Sequence, residues 1–157
     1  MHQWQSAPHP LYCNSDQGYF VAPQSIAELC EILSKWPQAT LLAGATDIGL
    51  WITKQGRQLT TLLYLGQISS LKTVNRQEDE LEIGAAVSLQ RAAPELTRLS
   101  PDLGLLLRRF GARQVRSQGT IGGNIANGSP IGDLPPALIA LGATLRIGCA
   151  NGQREIP

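Results

Sequence analysis

Two glycine-containing segments are the places where this sequence could do chemistry, and the first runs from Leu42 to Gly49. It follows a short apolar run and leads into a helical pattern. Gly44 can adopt backbone conformations that a Cβ forbids, and a helix N-terminus offers unpaired N–H groups that favour an anion such as phosphate. Thr46 could cap the helix. A tight turn with nothing bound explains the same residues, so both interpretations stay open.

The second segment runs from Gly119 to Asp133 and is rich in Gly, Asn and Ser. Between Arg116 and Arg146 the only charged residue is Asp133. This composition places backbone N–H groups, hydroxyls and amides close together without bulky side chains, which is typical of a cradle for a phosphate or a sugar. A turn-rich hairpin in a crowded core is the alternative.

Other motifs with a known mechanism are absent from the sequence. Gly44 and Gly49 have the spacing of a P-loop, but Leu50-Trp51 stand where the motif needs Lys followed by Ser or Thr. No G-x-G-x-x-G, G-x-S-x-G or H-E-x-x-H occurs, and the three cysteines are isolated. We therefore expect no catalytic residue and no metal site on this chain. Binding segments without acid–base groups suit a reaction whose chemistry a cofactor carries.

Several single residues have both a structural and a functional interpretation. Asp133 precedes Leu134-Pro135-Pro136 and could cap a helix, or it could accept a hydrogen bond from a neutral part of a ligand. Phe110 could belong to the core or pack against a flat cofactor. The arginine cluster could be a solvated face, a partner surface or a source of positive field; it comprises Arg108, Arg109, Arg113 and Arg116.

The elements that position the first segment are predicted from hydrophobic periodicity. Residues 1–18 show no pattern and indicate a leader or linker. A strand at 19–21 precedes a helix that begins after Ser25, with Glu28 completing a capping box, and ends near Trp36. A strand at 40–43, a helix at 48–55 and a strand at 60–64 predict a βαβ unit with parallel pairing.

After residue 66 the pattern changes to short runs that predict antiparallel hairpins, at 71–75, 80–83 and 86–87. Residues 88–107 are predicted to be helical with breaks at Pro94 and Pro101. A strand at 120–125, a helix at 133–141 ended by Gly142, and a strand at 143–149 complete the prediction. The order of elements indicates an α+β protein of two subdomains that meet near residues 65–72.

Composition limits the classes of partner. Charged residues make up 16% of the 157-residue chain, against about 25% in an average soluble domain, which suits a chain covered by a partner, a cofactor or another domain. A net charge of +1 argues against nucleic-acid binding. No apolar run could span a membrane, and no lysine or arginine precedes Lys35, so we expect no signal peptide and a cytoplasmic protein.

The two glycine segments resemble a known family. Leu41–Ile48 (LLAGATDI) and the residues to Lys54 are similar to the first FAD loop of the molybdopterin dehydrogenase flavoproteins, and 109–142 is similar to the second loop. The sequence of these segments most resembles the small subunits of bacterial xanthine dehydrogenases. The resemblance implies the two-subdomain α+β FAD-binding fold shared with vanillyl-alcohol oxidase, over 19–157, divided into 19–68 and 69–157. It also implies that the fold is incomplete after Pro157, where segments that contact the flavin ring would follow.

The resemblance also implies which residues contact FAD. The first loop would surround the pyrophosphate with backbone amides, Phe110 would pack near the cofactor, the second loop would form the opposite wall, and Asp133 would accept a hydrogen bond. The implied contacts are Leu41, Leu42, Ala43, Gly44, Ala45, Thr46, Asp47, Ile48, Phe110, Gly119, Thr120, Ile121, Gly122, Gly123, Asn124 and Asp133.

The implied activity is one step in a larger enzyme. In the family, electrons leave a purine at a molybdopterin centre, cross two 2Fe–2S clusters, reduce FAD and pass to NAD. The molybdopterin-binding large subunit and the iron–sulfur domain are therefore the expected partners, because this chain carries none of their cysteines, and the chain alone is expected to be inactive. Two alternatives stay open: a remnant or assembly module of the same fold that binds no FAD, and the flavoprotein of another molybdenum hydroxylase.

Overall fold

The computed structural model describes residues 11–16, 18–78, 80–149 and 152–157. Its elements, in chain order, are β1 (Leu11–Ser15), β2 (Gly18–Ala22), α1 (Ile26–Lys35), β3 (Thr40–Leu42), α2 (Ile48–Thr53), β4 (Thr61–Tyr64), 3₁₀ turns at Leu65–Gln67 and Ser69–Lys72, β5 (Val74–Arg76), β6 (Leu81–Ile83), α3 (Leu89–Leu99), α4 (Pro101–Arg109), α5 (Arg113–Gln118), α6 (Ile121–Ala126), α7 (Leu134–Ala140), β7 (Leu145–Cys149) and β8 (Gly152–Ile156).

The first sheet has the strand order β1-β2-β4-β3. Both β2 and β3 run parallel to β4, with Val21 and Leu41 each aligned to Leu63. The succession β3, α2, β4 is the predicted βαβ unit, so the loop from β3 into α2 lies at the carboxyl end of a parallel strand. Ligands of open α/β sheets commonly bind at this edge.

The first strand corrects the prediction of an unstructured leader over residues 1–18. Leu11–Ser15 pair antiparallel with β2, from Leu11 opposite Ala22 to Ser15 opposite Gly18. All five residues of β1 are exposed, so no apolar alternation was present to reveal the strand. Residues 1–10 and 17 of that prediction lie outside the described residues.

The helix α1 begins where its capping box predicts. Ser25 Oγ accepts a hydrogen bond from the Glu28 N–H at 3.1 Å, and Glu28 Oε2 accepts one from the Gln24 N–H at 2.7 Å. Both bonds satisfy N–H groups near the helix end. Leu29 and Ile32 then pack on the sheet as part of a buried cluster.

Two hydrophobic clusters occupy the two halves of the chain. The first is formed by Val21, Leu29, Ile32, Leu63 and Ile68, and the second by Val87, Leu89, Ala92, Leu96, Leu103, Leu107, Ile121 and Leu134. Leu71 packs on the first cluster and Val74 on the second. The change of cluster thus falls in the connection between β4 and β5, and the division into subdomains at residues 68 and 69 stays a prediction.

The second half differs from the prediction at Pro94. β5 and β6 form the expected antiparallel hairpin, but α3 continues through Pro94 instead of breaking there. Leu89, Ala92 and Leu96 on this helix are buried, and their packing offsets the one hydrogen bond that proline removes. The chain breaks only at Ser100, after which Pro101 opens α4 at a position where proline is tolerated.

The prediction of a strand at 120–125 is wrong, because this segment forms α6. Thr120 Oγ1 accepts a hydrogen bond from the Gly123 N–H at 3.1 Å, which caps the helix. Ile121 and Ile125 both pack on the second hydrophobic cluster and are spaced by one helical turn. The helix α7 ends before Gly142 (φ +66°), as predicted.

The last two strands form a hairpin, and only the first of these two strands was predicted. β7 covers the carboxyl-terminal part of the predicted strand at 143–149, and it pairs antiparallel with β8. No helix in the described part of the chain is long and apolar enough to cross a membrane.

Candidate functional site

The loop from β3 into α2 has a strained and open backbone. Ala45 has φ +60°, a left-handed conformation that costs an L-residue about 1–2 kcal/mol. Its carbonyl oxygen accepts from the Gly49 N–H at 2.8 Å. Within the described part of the chain, the backbone N–H groups of Gly44, Ala45, Thr46 and Asp47 donate to no other backbone group. Successive free N–H groups beside a left-handed residue form the kind of concavity that binds anions.

The expected cap of α2 is absent. Asp47, not Thr46, occupies the N-cap position, and its side chain makes no capping hydrogen bond. In the first turn of this short helix, the Gly49 N–H donates to the Ala45 carbonyl and the Leu50 N–H donates to the Asp47 carbonyl at 2.8 Å, so backbone acceptors replace the side-chain cap.

The two glycine segments contact each other. A Cβ on Gly44 would overlap the carbonyl oxygen of Gln118 and lie 3.1 Å from the Gly119 Cα. A Cβ on Gly119 would lie 2.9 Å from the Val115 carbonyl oxygen and 3.7 Å from Thr46 Oγ1. Two stretches far apart in sequence thus meet backbone to backbone, and we call this contact the glycine junction.

The second segment is held to the rest of the molecule by its backbone. The Ile121 N–H donates to the Val87 carbonyl at 3.0 Å, and the Gly122 N–H donates to the Ala85 carbonyl at 2.9 Å. A Cβ on Gly122 would lie 2.6 Å from the Ala85 Cβ. The absence of a side chain at Gly122 therefore serves packing inside the protein.

This arrangement differs from the expectation that the second segment supplies free amides. The N–H groups of Ile121 to Asn124 all have acceptors within the chain, since the Gly123 N–H goes to Thr120 Oγ1 and the Asn124 N–H goes to the Thr120 carbonyl at 2.9 Å. What the segment offers is an open face at Gly123, which is exposed. A Cβ there would meet only Thr120, with Oγ1 at 2.7 Å.

Phe110 and Asp133 line the same cavity, although 22 residues separate them in the sequence. The cavity has a volume of about 380 Å³ and is lined by Asp102, Leu105, Leu106, Arg109, Phe110 and Asp133. Asp133 is exposed, and as the N-cap residue of α7 it makes no side-chain capping bond, so its carboxylate is not used by the helix. Sequence reasoning missed Asp102, Leu105 and Leu106 as lining residues, because only the packing of α4 against the segment before α7 reveals them.

One arginine of the basic cluster has a structural partner. Arg108, Arg109 and Arg113 are exposed, as expected of a solvated face. Arg116 is half-buried, and its Nη1 donates to the carbonyl oxygens of Phe110 at 2.8 Å and Gly111 at 2.7 Å. No residue pattern in the sequence signalled these bonds, because they link a side chain to the backbone of a preceding turn.

Asn124 carries an unusual acceptor. Its Oδ1 is buried and has no hydrogen-bond partner among the described residues. A buried polar atom left unpaired costs about 1–3 kcal/mol, so the unpaired Oδ1 lowers the stability of the folded chain. The described residues contain no group of three or more His, Cys, Asp or Glu side chains that could bind a metal.

Comparison with known proteins identifies the fold and the cofactor. Residues 14–157 match the family model described as the FAD binding domain in molybdopterin dehydrogenase. The chain belongs to this family. The family prediction, the α+β FAD-binding fold and FAD as the cofactor are thereby confirmed, with the other cofactors of such enzymes on other domains.

The relatives are oxidoreductases that are longer than this chain. Nicotinate hydroxylase hnxS of Emericella nidulans is 32% identical over 94% of this chain and 12% of its own length. Xanthine dehydrogenase 2 of Arabidopsis thaliana is 31% identical with the same two coverages, 94% and 12%. The chain thus spans about one eighth of the length of these curated relatives.

Solved structures give the same fold. Carbon monoxide dehydrogenase of Hydrogenophaga pseudoflava superposes with a TM-score of 0.83 at 29% identity, covering 88% of this chain and 49% of that chain. Quinoline 2-oxidoreductase of Pseudomonas putida 86 superposes with a TM-score of 0.80 at 27% identity, covering 86% and 48%.

Proposed function

We propose that the glycine junction binds the diphosphate of FAD. The observation that carries the proposal is the contact of Gly44 with the backbone of Gln118 and Gly119, which brings the two segments of the resemblance together. The first loop contributes N–H groups that have no backbone acceptor within the described residues. A negative ligand at this position gains hydrogen bonds from these N–H groups.

The two loops have different roles in this proposal. The first loop, Leu41–Ile48, donates hydrogen bonds through Gly44, Ala45, Thr46 and Asp47. The second, Gly119 to Asn124, supplies a wall whose open face at Gly123 lets a ligand approach the backbone closely. Gly122 supports that wall from behind through its contact with Ala85.

The cavity between Phe110 and Asp133 takes an uncharged part of FAD. Its lining combines apolar side chains with the carboxylates of Asp102 and Asp133. Two carboxylates repel a diphosphate, whereas they accept hydrogen bonds from hydroxyl or amine groups. Phe110 provides a flat apolar wall, and burial of a ligand ring against such a face is favourable.

Bound FAD supplies the hydrogen-bond donor that Asn124 Oδ1 lacks. A hydroxyl or N–H donor of the ligand, reaching this residue after a small rearrangement of the carboxamide, would pair Oδ1. The chain would then recover the free energy that the unpaired atom costs in the absence of ligand.

The chain acts within a xanthine dehydrogenase-like molybdo-flavoenzyme of the cytoplasm. When bound, FAD exchanges electrons between one-electron carriers and a hydride acceptor. We propose that the carriers are iron–sulfur clusters and that the acceptor is NAD. The residues of this chain bind and orient the cofactor and contribute no acid, base or nucleophile. Support comes from the xanthine dehydrogenases among its relatives and from its low content of charged residues, 16%, which suits a chain covered by a molybdopterin-binding subunit and an iron–sulfur domain. Free Cys13 and Cys30 are compatible with a reducing compartment.

A titration with FAD tests the proposal, with Gly123→Val as the perturbation. The Cβ of valine presses on Thr120 Oγ1 at 2.7 Å and its methyl groups fill the exposed face. We expect FAD to shift its visible band on binding to the unmutated protein and to show no shift with the variant, whose folding is checked by circular dichroism. Ala126→Val is the matched control, because Ala126 is an exposed residue of the same helix. Equal affinity of Gly123→Val and the unmutated protein contradicts the proposal, and failure of the unmutated protein to bind FAD favours the remnant interpretation.

A further inference from the structure

Arg116 makes the only side-chain hydrogen bonds that hold the turn from α4 to α5 within the described residues. Its Nη1 lies 2.8 Å from the Phe110 carbonyl oxygen and 2.7 Å from the Gly111 carbonyl oxygen. These carbonyls follow the last turn of α4, where backbone acceptors lack helical partners and the helix dipole favours a positive charge. The guanidinium thus satisfies two acceptors at once.

The turn that Arg116 holds is tight. Gly111 has φ +47°, and a Cβ at this position would lie 3.4 Å from the side chain of Val115. The Phe110 N–H still donates to the Leu106 carbonyl at 2.9 Å, so the residue belongs to the end of α4 while its carbonyl is held by α5. The position of the Phe110 ring in the cavity depends on both attachments.

The helix α5 links the two parts of the proposed FAD site. It has six residues, a length of about 9 Å, and connects the turn at Phe110 to the glycine junction at Gln118. Arg116 fixes this helix against the end of α4. A shift of α5 would therefore change the distance between the cavity and the junction, which in the proposed function bind an uncharged part of FAD and its diphosphate.

We propose that Arg116 is a positioning residue for FAD and acts by holding Phe110 against the cofactor. The inference rests on the proposed function, because it requires that Phe110 contacts FAD. In this proposal Arg116 acts through the backbone of the turn, to which its Nη1 donates, and not by contact with the ligand. Lysine carries the same charge but lacks the planar, delocalised guanidinium, so it replaces arginine only in part.

A double-mutant cycle measures whether Arg116 acts through Phe110. The FAD dissociation constant is determined for the unmutated protein, for Phe110→Ala, for Arg116→Ala and for the double variant. We expect each single change to weaken binding about tenfold, and the double variant to bind no more weakly than Phe110→Ala. A purely structural role for Arg116 predicts additive losses, about 100-fold in the double variant, and that result overturns the inference.

Two further variants, a control and a milder substitution, allow each outcome to be interpreted. Arg113→Ala removes an exposed arginine of the same helix and should leave FAD affinity unchanged. If Arg116→Ala does not fold, Arg116→Lys replaces it in the cycle, with an expected weakening of about threefold that disappears in the Phe110→Ala background. If Phe110→Ala weakens binding and neither Arg116 variant does, the inference alone is wrong. If Phe110→Ala has no effect, the proposed contact of Phe110 with FAD is wrong, and the inference fails with it.

Discussion

Replacing Gly44 by alanine perturbs the glycine junction with a single methyl group. The added Cβ would overlap the Gln118 carbonyl oxygen and lie 3.1 Å from the Gly119 Cα. Both neighbours are backbone atoms, so no side chain can rotate away, and the β3–α2 loop must separate from the end of α5. Overpacking of this kind costs about 3 kcal/mol. For 157 residues that corresponds to a fall of about 9 °C in the unfolding temperature.

The assay combines thermal unfolding with an FAD titration, and Gly49→Ala is the control. Gly49 lies in the same segment, but a Cβ there meets no atom within 4 Å, and alanine is the better helix former by about 1 kcal/mol. We expect Gly49→Ala to unfold at or above the temperature of the unmutated protein and Gly44→Ala well below it, with FAD binding weakened. An unfolding temperature of Gly44→Ala within 2 °C of the unmutated protein, by the size scaling of about 3 °C per kcal/mol, would refute the described junction.

Three further changes separate binding from stability. Ala45→Gly removes the cost of a left-handed alanine and should raise the unfolding free energy by about 0.5 kcal/mol, measured by urea unfolding, with FAD binding kept. Asn124→Ala removes an unpaired buried acceptor, so the ligand-free protein should unfold no earlier while its FAD affinity falls about tenfold. Asp133→Asn should leave the unfolding temperature unchanged, because the carboxylate makes no capping bond, and should weaken FAD binding in a titration. Loss of stability without loss of affinity in the last two variants would contradict the proposed roles of Asn124 and Asp133 in FAD binding.

The sequence was sufficient to predict helices and strands where local signals and tertiary packing favour the same structure. The capping box at Ser25 and the apolar strands around α2 predicted both the first helix and the parallel βαβ unit. α6 was missed because Ile121, Gly122 and Gly123 have low helix propensity, and the helix exists through the Thr120 cap and the anchoring to Ala85. Such anchoring comes from tertiary contacts, which no local pattern encodes.

Composition and the family resemblance predicted which segments form the site, but not what each residue does there. Both glycine segments stood out, yet their contact at Gly44 arises from the packing of two halves of the chain. Composition indicated that the second segment would offer free amides, whereas the structure uses those of Ile121 to Asn124 internally. Arg116 belonged to an apparent surface cluster, and only its two backbone acceptors distinguish it from Arg113.

Nuclear magnetic resonance of the ¹⁵N-labelled protein during titration with FAD shows directly whether the first loop binds the cofactor. We predict that the largest amide shifts fall on Gly44, Ala45, Thr46 and Asp47, whose N–H groups have no backbone acceptor in the described part of the chain. Shifts confined to another concave surface, such as the groove around Arg76, Arg91 and Arg98, with the first loop unchanged, would contradict it.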